Sequence, residues 1–185
     1  MSVPVAPEEI AGVRLFTLRV HRDSRGTFVE QWREDRRSDV GLPAFVQDNA
    51  AFSRRGVLRG LHYQHPRGQG KLISAPFGEI FDVFVDLRRG SATFGRWAAS
   101  TISGDNGLQI YLPPGIAHGY VALSDVVLVT YKCTEYYDPA CDRGLSWADV
   151  DIGVDWPIAA PEISPRDQVA PALRDIPAQH LPDGV

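Results

Sequence analysis

The stretch Gly107-Leu108-Gln109-Ile110-Tyr111-Leu112-Pro113-Pro114-Gly115-Ile116-Ala117-His118 reads as a β-strand, a tight turn and the start of a second strand. The glycines and prolines turn the chain sharply, and His118 is then expected to point into whatever the strands enclose. On either side the same grammar repeats. Short runs rich in β-branched and aromatic residues recur at Val13–Val20, Thr27–Trp32, Val57–Tyr63, Lys71–Ala75, Ile80–Leu87, Leu108–Leu112 and Val126–Cys133. Turn signals such as Arg89-Gly90-Ser91 and Ser103-Gly104-Asp105-Asn106-Gly107 separate them. Helical periodicity is weak, and only Glu34–Val40 and Ala170–Ile176 are expected to form short helices. Many short strands at close spacing predict an all-β sandwich or barrel. No internal repeat or low-complexity linker divides the chain, so residues 1–185 are expected to form one domain, with the Pro-rich stretch from Trp156 to Pro177 wrapping its outside.

The bulk composition agrees. Hydrophobic residues at 44% and charged residues at 23% are the balance of a globular protein. A net charge of -4 argues against a general nucleic-acid binder, which would carry a basic face. The opening MSVPVAPEEIAG lacks the basic and apolar regions of a secretory signal, and no stretch reaches the ~18–20 apolar residues that span a bilayer. Cys133 and Cys141 form neither a CxxC site nor a disulfide framework, so the expected home is the reducing cytoplasm.

In its spacing, Gly107-x5-Pro113-x-Gly115-x2-His118 resembles the second motif of the cupin barrels, which implies a jelly-roll β-barrel. In metal-binding cupins that histidine joins an HxH pair and a glutamate on an earlier strand. Here that strand offers Gly60-Leu61-His62-Tyr63-Gln64-His65-Pro66. His62 and His65 are three apart and are expected on opposite faces, and Arg67, Gly68 and Gln69 stand where a carboxylate ligand would be needed. No metal is expected.

A closer resemblance runs through collinear blocks: Val57-Leu58-Arg59-Gly60-Leu61-His62-Tyr63-Gln64, Gln69-Gly70-Lys71-Leu72, Gly78-Glu79-Ile80-Phe81-Asp82-Val83, Asp86-Leu87-Arg88-Arg89-Gly90-Ser91, Phe94-Gly95-Arg96-Trp97, Pro113-Pro114-Gly115-Ile116-Ala117-His118-Gly119 and Tyr131-Lys132-Cys133-Thr134. From about Val13 to Asp167 the chain is similar to the dTDP-4-dehydrorhamnose 3,5-epimerase family and its antibiotic-sugar relatives. The resemblance implies a cofactor-free homodimer, with exchanged N-terminal strands, acting on a dTDP-4-keto-6-deoxyhexose. It places the base on His62, its carboxylate partner on Asp167, a lysine on Lys71, the barrel histidine on His118 and the proton-donating tyrosine on Tyr131. Tyr137 falls near the sugar. Nucleotide contacts fall on Arg25, Glu30, Gln47, Asp48, Asn49, Arg59 and Arg166, and on Asp142 where the family often carries the longer glutamate.

These residue types suit one reaction. A C–H beside a ketone is acidic because its carbanion delocalises onto oxygen, so the site needs a base on one face, a donor for the oxygen and an acid on the other face. An imidazole, with an ordinary pKa of ~6.5, is a suitable base near neutrality. A carboxylate orients it, a lysine stabilises the enolate oxygen, and arginines grip a diphosphate. The other readings are inversion at C3 alone, or a non-catalytic sugar-nucleotide-binding cupin. Phe81, Phe84, Phe94 and Trp97 are expected in the core, Lys132 and Cys133 in structural roles, and Asp86 with Arg88 as a turn-closing pair. Taken singly, His118 is equally a substrate contact or a structural turn residue, and Asp167 would be a solvated turn residue.

Overall fold

In the computed structural model, which describes residues 4–184, thirteen strands carry the fold. They are β1 (Arg14–Thr17), β2 (Val20–Asp23), β3 (Gly26–Val29), β4 (Gln47–Arg54), β5 (Val57–Gln64), β6 (Lys71–Phe77), β7 (Glu79–Asp86), β8 (Trp97–Ser103), β9 (Leu108–Leu112), β10 (Ile116–Ala122), β11 (Val126–Cys133), β12 (Asp142–Gly144) and β13 (Glu162–Ile163). One sheet has the order β1-β9-β6-β11-β4. The facing sheet runs β12-β5-β10-β7-β8, with β13 added in parallel to β5, and β2-β3 stands apart as a hairpin. Apart from that parallel addition the two main sheets are antiparallel throughout, and they close on one another as a jelly-roll barrel.

Strand alternation builds the interior. Ile73 and Ala75 of β6, Val127 and Val129 of β11, Ile80 and Phe84 of β7, and Ile116 and Tyr120 of β10 meet between the sheets. The outer face of the second sheet, with Leu61, Tyr63, Val83, Val85 and Trp97, is covered by Ile152, Ile176 and Leu181, with Val154, Trp156 and Leu173 packed beside them. The Pro-rich segment thus wraps the outside. It also enters the barrel mouth, because Glu162–Ile163 docks on the β5 edge and the following α1 (Pro165–Gln168) buries Asp167.

Several expectations are corrected. The run Val13–Val20 is two strands, because the chain leaves β1 after Thr17 and re-forms in the hairpin, and the expected strand Thr27–Trp32 is the shorter β3. The helix over Glu34–Val40 shrinks to a 3-10 turn at Glu34–Arg36, and that over Ala170–Ile176 to Leu173–Asp175, neither with a side-chain cap. Phe94 is 39% exposed at a turn, not in the core. Asp86 and Arg88 do close a turn: Arg88 Nε and Nη2 donate to Asp86 Oδ1 and Oδ2 at 2.8 and 2.9 Å.

One irregularity shapes the interior. Between the pairs His118↔His62 and Tyr120↔Arg59, β10 advances by two residues and β5 by three. This bulge reverses the alternation on β5, so Arg59 and His62, three apart in sequence, open onto the same cavity. Gly60 permits it. Its φ is +121°, and a Cβ there would lie 2.6 Å from Gly119 Cα and 2.7 Å from the His118 carbonyl oxygen.

Candidate active site

A cavity of about 560 Å³ opens at the barrel mouth, lined by Arg59, His62, His118 and Tyr120 from one sheet and by Lys71 and Tyr131 from the other. Asp167 and Arg166 close its rim from α1. An adjoining space of about 330 Å³ shares His62, Lys71, Tyr131 and Arg166 and adds Gln47, Asn49, Tyr137 and Asp142.

Two histidine–carboxylate pairs stand side by side on directly opposed strand positions. Nε2 of His62 lies 2.6 Å from Asp167 Oδ1. The Gly60 amide donates to Asp167 Oδ2 at 3.3 Å, and the Asp167 amide donates to Ser164 Oγ at 3.1 Å. Burial pushes the Asp167 carboxyl up, but the hydrogen bond and charge of His62, with those amide and hydroxyl partners, hold it below the ordinary carboxylate range. Since Asp167 engages Nε2, Nδ1 is the imidazole nitrogen left for chemistry. In the second pair His118 Nε2 lies 2.7 Å from Asp82 Oδ2, with His118 7% and Asp82 0% exposed. Burial raises the Asp82 carboxyl against the opposing pull of His118 and Lys71.

Lys71 enters from β6. Burial holds its ammonium below the ordinary lysine range, against the pull of Cys133, Asp142 and Asp82. Tyr131, its neighbour on β11, has its phenol raised, first by burial and then by Cys133 and Tyr120, so it is held protonated over the neutral range. A cation kept in such surroundings costs stability. With a folded pKa below its unfolded value, Lys71 binds fewer protons in the folded chain, so burial of this group destabilises the fold at neutral pH and the penalty fades as pH climbs toward 10.5. Lys71→Met is therefore expected to raise the melting temperature at pH 7 by about 2–6 °C, with the gain shrinking as pH approaches 10.5. A melting temperature that is unchanged or lower at pH 7 would refute this.

The remaining candidates divide by location. Gln47 donates to Asn49 Oδ1 at 3.1 Å and accepts from the Tyr137 amide at 2.8 Å, which ties the floor of the second space to its lid. Asn49 donates to Cys133 Sγ at 3.5 Å. Asp142 is gripped by Arg166 at 2.6 Å and by the Tyr137 hydroxyl at 2.9 Å, so its short arm is matched to partners within the chain. Asp48 lies on the outer face, paired at 2.9 Å with Lys132, which sits over the Trp32 ring. Arg25 and Glu30 are not brought to this cavity: Arg25 belongs to the β2–β3 hairpin and pairs with Asp23 at 2.6 Å, and Glu30 lies 3.9 Å from Arg33.

Sequence reasoning gave no separate role to Asp82. The signal was available, since Ile80, Asp82 and Phe84 alternate onto one face of an apolar strand, and a carboxylate there requires a polar partner. Among the described residues, no group of three or more His, Cys, Asp or Glu side chains converges to hold a metal ion, and no helix is long and apolar enough to cross a membrane.

Comparison with known proteins places this arrangement. The sequence profile of the dTDP-4-dehydrorhamnose 3,5-epimerase family matches residues 7–175. A protein of that name from Methanothermobacter thermautotrophicus is 46% identical over 170 residues, covering 90% of this chain and 92% of that protein. One from Neisseria gonorrhoeae is also 46% identical, over 84% of this chain but 48% of its own length, so the chain spans about half of that relative. Among solved structures, the dTDP-6-deoxy-D-glucose-3,5-epimerase of Legionella pneumophila, in complex with dTDP-4-keto-L-rhamnose, superposes with a TM-score of 0.91 at 39% identity, covering 99% of this chain and 97% of that one. ChmJ, a 3'-monoepimerase from Streptomyces bikiniensis bound to dTDP-quinovose, gives 0.86 at 35% identity, covering 97% and 93%. With a profile match over most of its length and relatives of similar size at 46% identity, the chain belongs to the dTDP-4-dehydrorhamnose 3,5-epimerase family.

Proposed function

We propose that the chain inverts C3 and C5 of a dTDP-4-keto-6-deoxyhexose. The observation that carries this reading is the entry of the His62–Asp167 pair and of Lys71 with Tyr131 into one cavity from two facing sheets. A sugar ring held between the sheets meets a base on one face and an acid on the other. His62 Nδ1 takes the proton from the carbon beside the ketone, and the C–H electron pair moves onto O4. Lys71 and His118 stabilise that enolate oxygen, a kind of contact worth about 2.7–4 kcal/mol per donor in comparable sites. Tyr131 then delivers its proton to the opposite face, and the configuration inverts. Arg59 and Arg166 hold the diphosphate, while Gln47, Asn49, Tyr137 and Asp142 shape the adjoining space for the nucleotide. No step calls on a cofactor or a metal. The chemistry takes place in the cytoplasm, consistent with two free buried thiols at Cys133 and Cys141.

Incubating the protein with dTDP-4-keto-6-deoxyglucose and identifying the product by proton NMR tests the reading. Inversion at both centres is the expected result. Inversion at C3 alone assigns the chain to the monoepimerase activity named for ChmJ, and recovery of unchanged sugar leaves only a binding protein.

The working unit of this proposal is a homodimer in which the β2–β3 hairpin reaches the neighbour's site with Arg25 and Glu30. Two features support it: the hairpin joins neither main sheet and leaves Phe28 70% exposed, and an apolar row crosses the outer face of the first sheet. Phe52, Leu128 and Phe77 are aligned across β4, β11 and β6, and Phe52 and Phe77 are 68% and 62% exposed. Light scattering should give twice the 20.4 kDa chain mass, and an active monomer would sink this part of the proposal.

A further inference from the structure

Arg59 differs from the other cavity arginine. Arg166 is neutralised by Asp142, whereas the hydrogen bonds of Arg59 go to neutral acceptors: Nε donates to Ser53 Oγ at 3.0 Å and Nη2 to the Phe52 carbonyl at 3.1 Å. Among the described residues it makes no ion pair with a carboxylate. Behind Ser53 stands Tyr120, whose hydroxyl lies 3.1 Å from Ser53 Oγ. Tyr120 is 3% exposed and is the cross-strand partner of Arg59 on β10, while Ser53, 6% exposed, comes from β4 of the facing sheet. The Tyr120–Ser53–Arg59 chain therefore crosses the seam between the sheets and ends on a guanidinium at the cavity mouth.

We infer that Tyr120 and Ser53 are positioning residues that pre-order Arg59 as the receptor for a diphosphate. A free arginine loses much rotamer freedom when it clamps an anion, and one already tethered at Nε loses less on binding. Tyr120 orients the Ser53 hydroxyl so that a lone pair faces Arg59, and burial makes the pair rigid. The bulge at Gly60 is what brings Arg59 to this side of β5 at all. The inference deepens the sugar-nucleotide reading and rests on it for the choice of dTDP as probe, but its own chemistry requires only a diphosphate.

The test is calorimetric titration with inorganic pyrophosphate and dTDP, and NMR titration with thymidine, on the wild type, Ser53→Ala, Ser53→Thr and Tyr120→Phe. Thermal melts confirm that each variant is folded. Expected are dissociation constants for pyrophosphate and dTDP raised about 3–10-fold in Ser53→Ala and about 2–5-fold in Tyr120→Phe. Thymidine affinity should be unchanged, and Ser53→Thr, which keeps the hydroxyl, should stay within about twofold of wild type. In turnover the same variants should raise KM more than they lower kcat. Unaltered pyrophosphate affinity in both Ser53→Ala and Tyr120→Phe overturns the inference, as does an equal loss for thymidine, which would mark a merely structural role. Wild-type protein that binds pyrophosphate but gains nothing from the thymidine moiety of dTDP sinks the nucleotide reading while the positioning chain stands. Wild-type protein that binds neither sinks the chain as well.

Discussion

His62→Ala is expected to lower kcat on dTDP-4-keto-6-deoxyglucose by about 10²–10⁴-fold, the usual worth of a positioned general base. The residue has the geometry for that loss. Asp167 holds Nε2 at 2.6 Å, which fixes the ring and leaves Nδ1 as the nitrogen not engaged by Asp167, and the imidazole is 32% exposed, open to substrate and able to exchange its proton with water. The other histidine cannot substitute. His118 is 7% exposed and committed to Asp82 on the far side of its ring. The variant should bind dTDP with little change, because Arg59 and Arg166 remain. A variant still within tenfold of wild-type kcat would remove His62 from the role of base.

Gly60→Ala is the second large expectation, and it acts through the backbone. Its Cβ would sit 2.6 Å from Gly119 Cα and 2.7 Å from the His118 carbonyl, and both are main-chain atoms of the neighbouring strand that cannot rotate away. The positive φ adds strain for any L side chain. Overpacking together with strain should cost about 3 kcal/mol, which lowers the melting temperature of a chain this size by roughly 6–12 °C. Activity should fall further than stability, because relieving the clash moves His62 relative to His118 and withdraws the Gly60 amide from Asp167. Differential scanning calorimetry with initial rates checks both. A variant that melts and turns over like wild type would show the bulge to be dispensable.

The bulge also marks the limit of what the sequence reveals. Glycine, proline and the alternation of apolar residues are enough to identify an all-β sandwich or barrel and most of its interior strands, since these follow directly from turn chemistry and the two-residue period, while the choice of a barrel rests on the resemblance to the cupin motif. The strands that escaped are those whose pattern is disguised. In β4 the sequence Gln47-Asp48-Asn49-Ala50-Ala51-Phe52-Ser53-Arg54 turns polar residues toward the cavity and an exposed phenylalanine outward. In β8 small residues, Ala98-Ala99-Ser100, carry little β preference of their own and are held by pairing with β7. β10 is legible only at its start, after the Pro113-Pro114-Gly115 turn, because Gly119, needed for close approach to β5, interrupts the run. No local signal tells that Arg59 and His62 share a face, because strict alternation separates residues three apart. Asp167 shows the same limit from another side. Read alone, Ser164-Pro165-Arg166-Asp167 is a solvated turn, and only docking of β13 on the β5 edge carries it beneath His62. The short helices failed for the reverse reason: mildly helical local sequence had no capping side chain at the N-cap position and stayed as single turns.

The central claim is a two-sided proton transfer, with His62 on one face of the sugar and Tyr131 on the other. Its most direct test is hydrogen exchange at C3 and C5 of dTDP-4-keto-6-deoxyglucose in D2O with wild type, His62→Ala and Tyr131→Phe, followed by proton NMR. The account predicts deuterium with inversion for the wild type and no exchange for His62→Ala. For Tyr131→Phe it predicts deuterium entering with retained configuration, as the His62 ring exchanges its proton with solvent and returns deuterium to the same face. Inversion that persists in Tyr131→Phe at near wild-type rate, or exchange that persists in His62→Ala, would contradict it.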